Sequence, residues 1–207
     1  MTQTTTVQTF DTSKCIVPHI QTPGVKYKAT QVIRIDTIYC PPYGDNPTRK
    51  KGKNLEHVDK LTISLSHGID YTKRLPVVRK SNRIVNGKHY DWELVAGNHR
   101  YEAMLRAGIL SWVFDVYEFG LKGVSFEDSL RTFQLEENNH APQLEASNDD
   151  VTNTIITLIE HKSGLVKNDE KSIAAYVDKY CGNMHHNTKG KVIRNVIASC
   201  GSYQDVV

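Results

Sequence analysis

The sequence has few cysteines and no long apolar run, and these shortages exclude several classes of protein. Its 207 residues include 4 cysteines, none of them in a CxxC pair, which excludes a dense disulfide framework and a structural zinc site. No stretch approaches the roughly 18 apolar residues that a membrane-spanning helix requires. The first residues form a polar, threonine-rich tract without the apolar segment of a secretory signal. We therefore expect a protein without membrane partners in a reducing compartment, by default the cytoplasm.

Neither sign of charge dominates the whole chain, but the charges are unevenly distributed. The net charge of +3 divides into +5 over residues 31–125, −7 over 126–170 and +3 over 171–207, with +2 before them. A basic body, an acidic connector and a basic end are typical of nucleic-acid-binding proteins, although ordinary solvated faces produce similar swings. The charge pattern makes DNA one candidate partner.

The first part of the chain alternates between strand and helix patterns. Alternating β-branched residues predict a strand over 31–39, and the pair Asn86-Gly87 predicts a hairpin. Asn54 is typical of the cap of a helix that Gly68 would end. We expect five residues to lie near the buried face of that helix: Leu55, Val58, Leu61, Ile63 and Leu65. The other segments predicted here are strands over 75–79, 89–96 and 112–117 and a helix over 101–107.

The rest of the chain has helical periodicity only. Helices are predicted over 125–138, 148–162, 170–180 and 188–199. The predicted fold class is therefore α/β, with a small mixed sheet and helices followed by an all-helical extension. The expected boundaries are an irregular arm over 1–24, the core over 25–122 and the extension over 123–207.

The strongest local pattern is a strand, a glycine, a basic pair and a helix over residues 93–103. A helix N-terminus offers backbone N–H groups and a positive dipole, and a preceding glycine lets a phosphate approach the backbone. Arg100 adds a guanidinium fork suited to phosphate oxygens, and His99 can carry a proton near neutral pH. The pattern predicts a phosphate site at Gly97, Asn98, His99 and Arg100. A tight turn beside a solvated arginine is the alternative.

Three segments, in order, resemble motifs of the ParB/sulfiredoxin superfamily. LVAGNHRYEAMLRAG, over 94–108, resembles the motif GxxRxxA of its ParB-like branch. DNPTR at 45–49 is similar to the first box of the family, and LTISLSHGIDYTKRLPVV at 61–78 to its segment of helix, glycine and Pro-Val-Val strand. The resemblance covers residues 31–118. It implies a ParB/sulfiredoxin-like fold in which the Gly97–Arg100 turn and Arg49 bind the phosphates of CTP or ATP, with Mg²⁺.

A further family motif, Glu-Asn-x-x-Arg, is matched in part. Glu137 and Asn138 correspond to its first two residues and are the predicted Mg²⁺ ligands. Position 141 is alanine where the motif has arginine, which departs from a ParB-type triphosphate clamp. The resemblance also implies that sulfiredoxin activity itself is absent, because Asn98 stands where that chemistry requires cysteine.

Two basic regions are candidates for contact with DNA. One is a loop, in which Lys50, Lys51 and Lys53 would bind backbone phosphates, with a solvated loop as the alternative. The other is a helix-turn-helix over 170–199, with a small helical cap as its alternative. In the second of its helices the exposed basic residues are Lys189, Lys191 and Arg194. The residues expected to be buried in its two helices are Ile173, Ala174, Val177, Val192, Val196 and Ile197. The basic residues of the predicted hairpin either extend this positive surface or protect a sheet edge.

Three residues are candidates for catalysis: Glu102, Glu137 and His99. Glu102 is equally suited to an i,i+4 ion pair with Arg106. The sequence thus predicts a ParB-like DNA-binding protein that binds a nucleoside triphosphate, with a homodimer as a candidate assembly and hydrolysis of the nucleotide or of DNA as the candidate enzymatic activities. Its alternatives are a metal-dependent ParB-like DNA nuclease and a sulfiredoxin-fold small-molecule kinase. A regulator from a phage or mobile element suits such a chain.

Overall fold

The residues of this chain divide between two compact units. The structure, a computed structural model, describes residues 10–16, 20–42, 54–70, 74–138, 147–182 and 184–201. The first unit contains the described residues of 10–16, 27–41 and 54–118, and the second contains 20–26 and those from 119 onward. Each unit is therefore assembled from stretches that are separated in sequence.

The first unit is built on a five-stranded mixed sheet with the strand order β1-β5-β3-β4-β2. Strands β3 and β4 form an antiparallel hairpin, whereas β2 pairs with β4 and β5 pairs with β3 in parallel. The strands are β1 (Lys26–Arg34), β2 (Ile38–Tyr39), β3 (Val77–Val85), β4 (Lys88–Ala96) and β5 (Ser111–Glu118). The hairpin turn is the predicted Asn86-Gly87 pair, with φ values of 50° and 76°, as a two-residue hairpin loop requires.

Two helices of this unit, α1 (Leu55–Ser66) and α2 (Asn98–Arg106), share a core with the sheet. The main members of this core are Ile33, Ile38, Val58, Val78, Leu94, Tyr101, Met104, Trp112 and Phe114. On α1 the buried residues are Val58 and Leu65, with Leu61 partly buried against them. The expectation that Leu55 and Ile63 also lie on that face is wrong, because they are 55% and 65% exposed. Ile63 lies five residues after Val58 and therefore points to another face of the helix, whereas Leu55 has the spacing of the buried residues but stands at the first position of the helix.

The strand predicted over 31–39 is interrupted by a 3₁₀ turn, Ile35–Thr37. The side-chain hydroxyl of Tyr101, on α2, lies 3.2 Å from the carbonyl oxygen of Ile35 and 3.0 Å from that of Ile38. The N–H of Ile35 donates to the carbonyl of Leu110 at 3.0 Å. The backbone groups of the turn are thus satisfied by residues distant in sequence, and burial raises the pKa of Tyr101 to about 12.

The second unit contains four helices among its described residues: α3 (Phe126–Asn138), α4 (Asn148–Glu160), α5 (Glu170–Tyr180) and α6 (His186–Gly201). All four agree with the predicted helices within a few residues. Ser147 and Asp150 form a reciprocal capping box on α4, and Asp169 caps α5, so local sequence fixes where these helices begin. Within the described ranges, no helix is long and apolar enough to cross a membrane.

The core of the second unit is mainly aliphatic. Its fully buried members include Leu135, Val151, Ile155, Leu158, Ile173, Val192 and Val196. The expectation that Ile197 is buried is wrong: it is 38% exposed, and Ile193 takes the expected place at 6%. Ile197 lies at the flank of the stripe formed by Val192, Val196 and Cys200, whose spacing of four residues follows the helical period.

The segment before β1 is fastened to α3. The backbone N–H of Gln21 donates to Oε1 of Glu136 at 3.0 Å, and the hydroxyl of Thr22 donates to Oε2 of the same side chain. Thr22 and Glu136 are both about 4% exposed. A buried carboxylate therefore uses both oxygens to bind a segment more than a hundred residues earlier in the chain.

Candidate functional site

Gly97 forms the turn between β4 and α2. Its backbone is left-handed, with φ 96° and ψ 28°, and it occupies the N-cap position of the helix. A Cβ at this position would lie 2.7 Å from the Cβ of Pro76, closer than side-chain atoms approach. Glycine is required here both by the backbone conformation and by Pro76. Pro76 fills the space that a side chain would take, so the turn offers a ligand its backbone rather than an open cavity.

The N-termini of α1 and α2 lie side by side. The backbone N–H of Asn54, the cap of α1, donates to Nε2 of His99 in the first turn of α2 at 3.1 Å. Further along, Nη1 of Arg106 lies 2.8 Å from Oδ1 of Asp59. These two contacts show that the helices run in the same direction. Their positive dipole ends therefore point to one place, which favours an anion.

His99 is buried where the N-termini of α1 and α2 lie side by side. It is 7% exposed, and its ring meets that of His57 edge to face, with 5.4 Å between the centroids. Because Nε2 accepts from Asn54, this nitrogen carries no proton and Nδ1 is the protonated nitrogen. The sequence predicts that His99 carries a proton, and in this arrangement His99 would exchange that proton at Nδ1.

Arg100 connects α2 to the segment that leads into β3. Its Nη1 donates to the carbonyl oxygen of Arg74. The backbone N–H of Asp115, on β5, donates to the carbonyl of Pro76 in the same segment at 3.0 Å. Arg100 is half-buried, so the alternative of a solvated arginine at the edge of the turn does not describe it.

Asp115 is a buried carboxyl group beside these arginines that sequence reasoning missed. It is 0% exposed; Oδ1 accepts from the hydroxyl of Thr30 at 2.6 Å, and Oδ2 has no hydrogen-bond partner among the described residues. Burial raises the pKa of Asp115, while the Thr30 hydrogen bond and the charges of Arg74 and Arg100 act to lower it. The available signal was one acidic residue inside an otherwise apolar strand, because such a residue needs a partner when buried.

Glu102 forms an ion pair with Arg106. The sequence left this pair open as the alternative to a catalytic role for Glu102. Its Oε1 lies 3.4 Å from Nε of Arg106, whose other end binds Asp59. This arrangement links α1 to α2. Catalysis by Glu102 stays a prediction.

Glu137 and Asn138, the predicted Mg²⁺ ligands, end α3 in the second unit and are buried at 3% and 8%. Carboxylate and amide oxygens are the type of donor that Mg²⁺ prefers. However, successive helical residues point about 100° apart, and the described residues bring together no three His, Cys, Asp or Glu side chains suited to a metal. The described residues therefore do not complete a metal site around the pair, and Mg²⁺ binding by Glu137 and Asn138 stays a prediction. Ala141, the departure from the family motif, lies outside the described residues.

The basic residues predicted to contact DNA differ in their surroundings. Lys191 and Arg194 are exposed on α6. Lys189 is partly buried and paired with Asp178 of α5, so its charge is already compensated. The loop residues Arg49, Lys50, Lys51 and Lys53 lie outside the part of the chain that the structure describes. Helices α5 and α6 follow one another across 181–185, as a helix-turn-helix requires.

Solved structures resemble this chain, whereas no family model and no curated protein matches it. ParB of Caulobacter crescentus, C-terminally truncated and complexed with CTP-gamma-S, is 18% identical, with a TM-score of 0.40 over 81% of this chain and 78% of that one. The same protein complexed to the centromeric parS site is 16% identical, with a TM-score of 0.46 over 80% and 70%. A Pnob8-like ParB-N domain is 11% identical, with a TM-score of 0.54 over 83% and 70%. The last likeness shows that the chain has a ParB-N-like fold, and the α/β fold expected from the motif resemblance is confirmed.

Proposed function

We propose that this chain is a ParB-like protein that binds a nucleoside triphosphate at the Gly97 turn and binds DNA through α6. The fold supports the first part only in general, since folds host many functions. The observation that carries the proposal is the pairing of the N-termini of α1 and α2 beside a turn whose sequence, Gly97 to Arg100, matches the phosphate motif of the family.

The geometry of the turn suits a polyphosphate in three ways. Two helix dipoles contribute partial positive charge, and the first turn of each helix has backbone N–H groups that make no intrahelical bond. Arg100 adds a full positive charge beside the turn, and the charge of Arg74, whose backbone carbonyl accepts from Arg100, acts on the neighbouring Asp115. The segment is rigid, because Pro76 packs on Gly97 and Asn54 binds His99. A preformed site of this kind loses little entropy when the anion binds.

Magnesium enters the proposal as the counter-ion of the nucleotide. It would supply charge neutralisation between phosphate oxygens, and phosphates and water would provide most of its ligands. Glu137 and Asn138, in the second unit, stay predicted Mg²⁺ ligands on the motif resemblance and are not assigned to the nucleotide at the Gly97 turn. The metal-dependent nuclease, which needs several carboxylates around a metal, stays the alternative.

The DNA-binding part of the proposal rests on α5 and α6. Helix α6 presents Lys191 and Arg194 to solvent, while Val192, Ile193 and Val196 hold its other face in the core. A helix anchored in this way can enter a groove without losing its packing. We expect Lys191 and Arg194 to bind backbone phosphates, with affinity that falls as salt rises.

The nucleotide proposal is tested by calorimetric titration of CTP, ATP and GTP with Mg²⁺ into the full chain and into the variant Asn98→Glu. Asn98 is the first residue of α2, where a carboxylate interacts well with the helix dipole and preserves the fold. The same carboxylate would repel a bound phosphate. We expect Asn98→Glu to weaken nucleotide binding by at least about tenfold, equivalent to about 1.4 kcal/mol, without lowering the melting temperature.

The control is Asn187→Glu, which makes the same change in the first turn of α6 in the other unit. It should leave nucleotide affinity unchanged. Equal losses in both variants would assign the effect to net charge, and binding that survives Asn98→Glu would remove the Gly97 turn from the site. Absence of binding by any of the three nucleotides would overturn the nucleotide proposal altogether.

A further inference from the structure

The outer half of the β3–β4 hairpin carries cations that rest on aromatic rings. Strand burial is confined to the end near Val77 and to Trp92–Val95, and the rest of the hairpin is largely exposed. The guanidinium of Arg83 lies 4.5 Å from the ring centre of Tyr39, and Nζ of Lys88 lies 4.7 Å from that of Tyr90. The rings of Tyr39 and Tyr90 meet edge to face at 5.7 Å. We call these four residues the hairpin cluster.

Three acidic residues lie near the hairpin cluster and compensate part of its charge. Glu93, which is buried, lies 2.8 Å from Nη2 of Arg79 and 3.5 Å from Nε of Arg83. Asp36 accepts two hydrogen bonds from the guanidinium of Arg34, and the charge of Lys88 also acts on it. Asp91 lies 3.4 Å from Nδ1 of His89. Among the described residues the nearby basic side chains still outnumber these three carboxylates, so an outside anion meets a surface that is positive on balance: they are Arg34, Arg79, Lys80, Arg83 and Lys88.

The rings hold the cations in place instead of offering their faces to a base. One face of the Arg83 guanidinium lies on the ring of Tyr39, and its Nε faces Glu93. The position of the Arg83 side chain is therefore fixed before any ligand binds. Lys80, whose Nζ lies 4.0 Å from the ring centre of Trp92, extends the same arrangement along β3. A fixed guanidinium with remaining donor groups suits a phosphate oxygen. Because one face of each ring is covered by a cation, we assign the contact to the cations and not to base stacking.

We propose that the hairpin cluster is a second nucleic-acid contact, in which Arg83 and Lys88 bind the phosphate backbone without regard to sequence. This surface is in the first unit and does not involve α6 or the Gly97 turn. It adds to the DNA binding of the proposed function and does not depend on which residues of α6 contact the groove. It also gives a role to basic residues that otherwise serve only to protect a sheet edge from aggregation.

The test compares the full chain with the double variant Arg83→Gln and Lys88→Gln, using fluorescence anisotropy with a labelled mixed-sequence duplex from 50 to 200 mM salt. Glutamine is shorter than arginine and lysine but stays polar at these exposed positions, and Arg79 still pairs with the buried Glu93, so the fold is preserved. Each lost phosphate contact lowers the slope of log K against log salt by about 0.9 on duplex DNA. We expect the slope to fall by about 1 to 2 and affinity at low salt to fall at least roughly tenfold.

The control is the double variant Lys162→Gln and Lys167→Gln in the second unit. It removes the same charge, and both lysines are exposed between α4 and α5, outside the helices proposed to bind DNA. If both double variants weaken DNA binding equally, the effect comes from the change in net charge, and the proposal is overturned. Unchanged binding in the hairpin variant would do the same.

A third variant, Lys191→Gln with Arg194→Gln, separates this proposal from the proposed function. If it abolishes binding while the hairpin variant binds normally, the inference fails and binding through α6 stands. If the hairpin variant alone weakens binding, the inference stands and the role of α6 is overturned. Wild-type protein that binds no duplex at 50 mM salt would overturn both, whatever calorimetry shows for nucleotides.

Discussion

The Gly97 turn and helix α6 hold their charged residues in opposite ways. At the turn, His99 and Asp115 are buried, and Arg100 is bound to a backbone carbonyl. On α6 the buried face is apolar, and Lys191 and Arg194 are exposed. At the turn, the buried residues proposed for binding also hold the structure together, whereas on the helix the proposed binding residues and the structural residues lie on two faces. Substitutions of Lys191 and Arg194 should therefore change binding without changing stability, whereas substitutions of Gly97, His99 or Arg100 should change both.

The strongest test of this division is a matched pair of substitutions one turn apart on α6. Ile193→Ala removes a side chain that is 6% exposed, whereas Ile197→Ala removes one that is 38% exposed. We expect Ile193→Ala to lower the free energy of unfolding by about 2 to 5 kcal/mol, and Ile197→Ala to lower it by roughly 1 kcal/mol or less. Urea unfolding followed by circular dichroism measures both. Equal losses would show that α6 has no solvent-facing side of the kind that groove binding needs.

At the turn, Gly97→Ala is expected to be almost as costly. The added Cβ meets Pro76 at 2.7 Å and the left-handed backbone disfavours alanine, so unfolding free energy should fall by about 2 to 4 kcal/mol. Gly108→Ala is the control, because Gly108 also has a positive φ, 65°, but has nothing within 4 Å of the added atom. It should cost only about 1 kcal/mol. A difference near zero between the two variants would mean that Pro76 moves aside and the turn is not rigid.

Asp115→Asn gives the smallest effect, and its sign depends on pH. Burial raises the pKa of Asp115 in the folded chain above the unfolded value of 3.8. The folded state therefore holds its proton more tightly, and this contribution to stability is lost as pH rises from the unfolded value through the raised one. Asparagine still accepts from Thr30 and does not titrate. Stability measured across that window should improve in the variant relative to the wild type as pH rises; a constant difference would argue that Arg74 and Arg100 compensate the carboxylate fully.

Most elements of the fold were predictable because their signals are local. The Asn86-Gly87 pair gave the hairpin, and cap residues such as Asn54 gave the helix starts. The break in the strand predicted over 31–39 was not predictable, since it depends on hydrogen bonds from the hydroxyl of Tyr101 and on one from Ile35 to the carbonyl of Leu110. Those partners are brought there only by the packing of α2.

The candidate site was predictable in its motif and not in its surroundings. Gly97 and Arg100 stand out by residue type, but Pro76, Arg74 and Asp115 are brought beside them by the parallel pairing of β3 with β5. For the same reason the sequence could not show that Ile63 and Ile197 are exposed. Helical periodicity identifies an apolar stripe, but the element that packs against the helix determines which side of the stripe is buried.

The bonds from Gln21 and Thr22 to Glu136 also have a consequence for the order in which the chain can assemble. During synthesis, residues 20–26 leave the ribosome long before α3 exists, and the strands of the first unit follow them at once. The second unit can therefore be completed only after the strands of the first unit and then α3 have been synthesised. A fragment that begins at residue 119 would carry all four helices and still leave the carboxylate of Glu136 buried without the partners it binds in the whole chain.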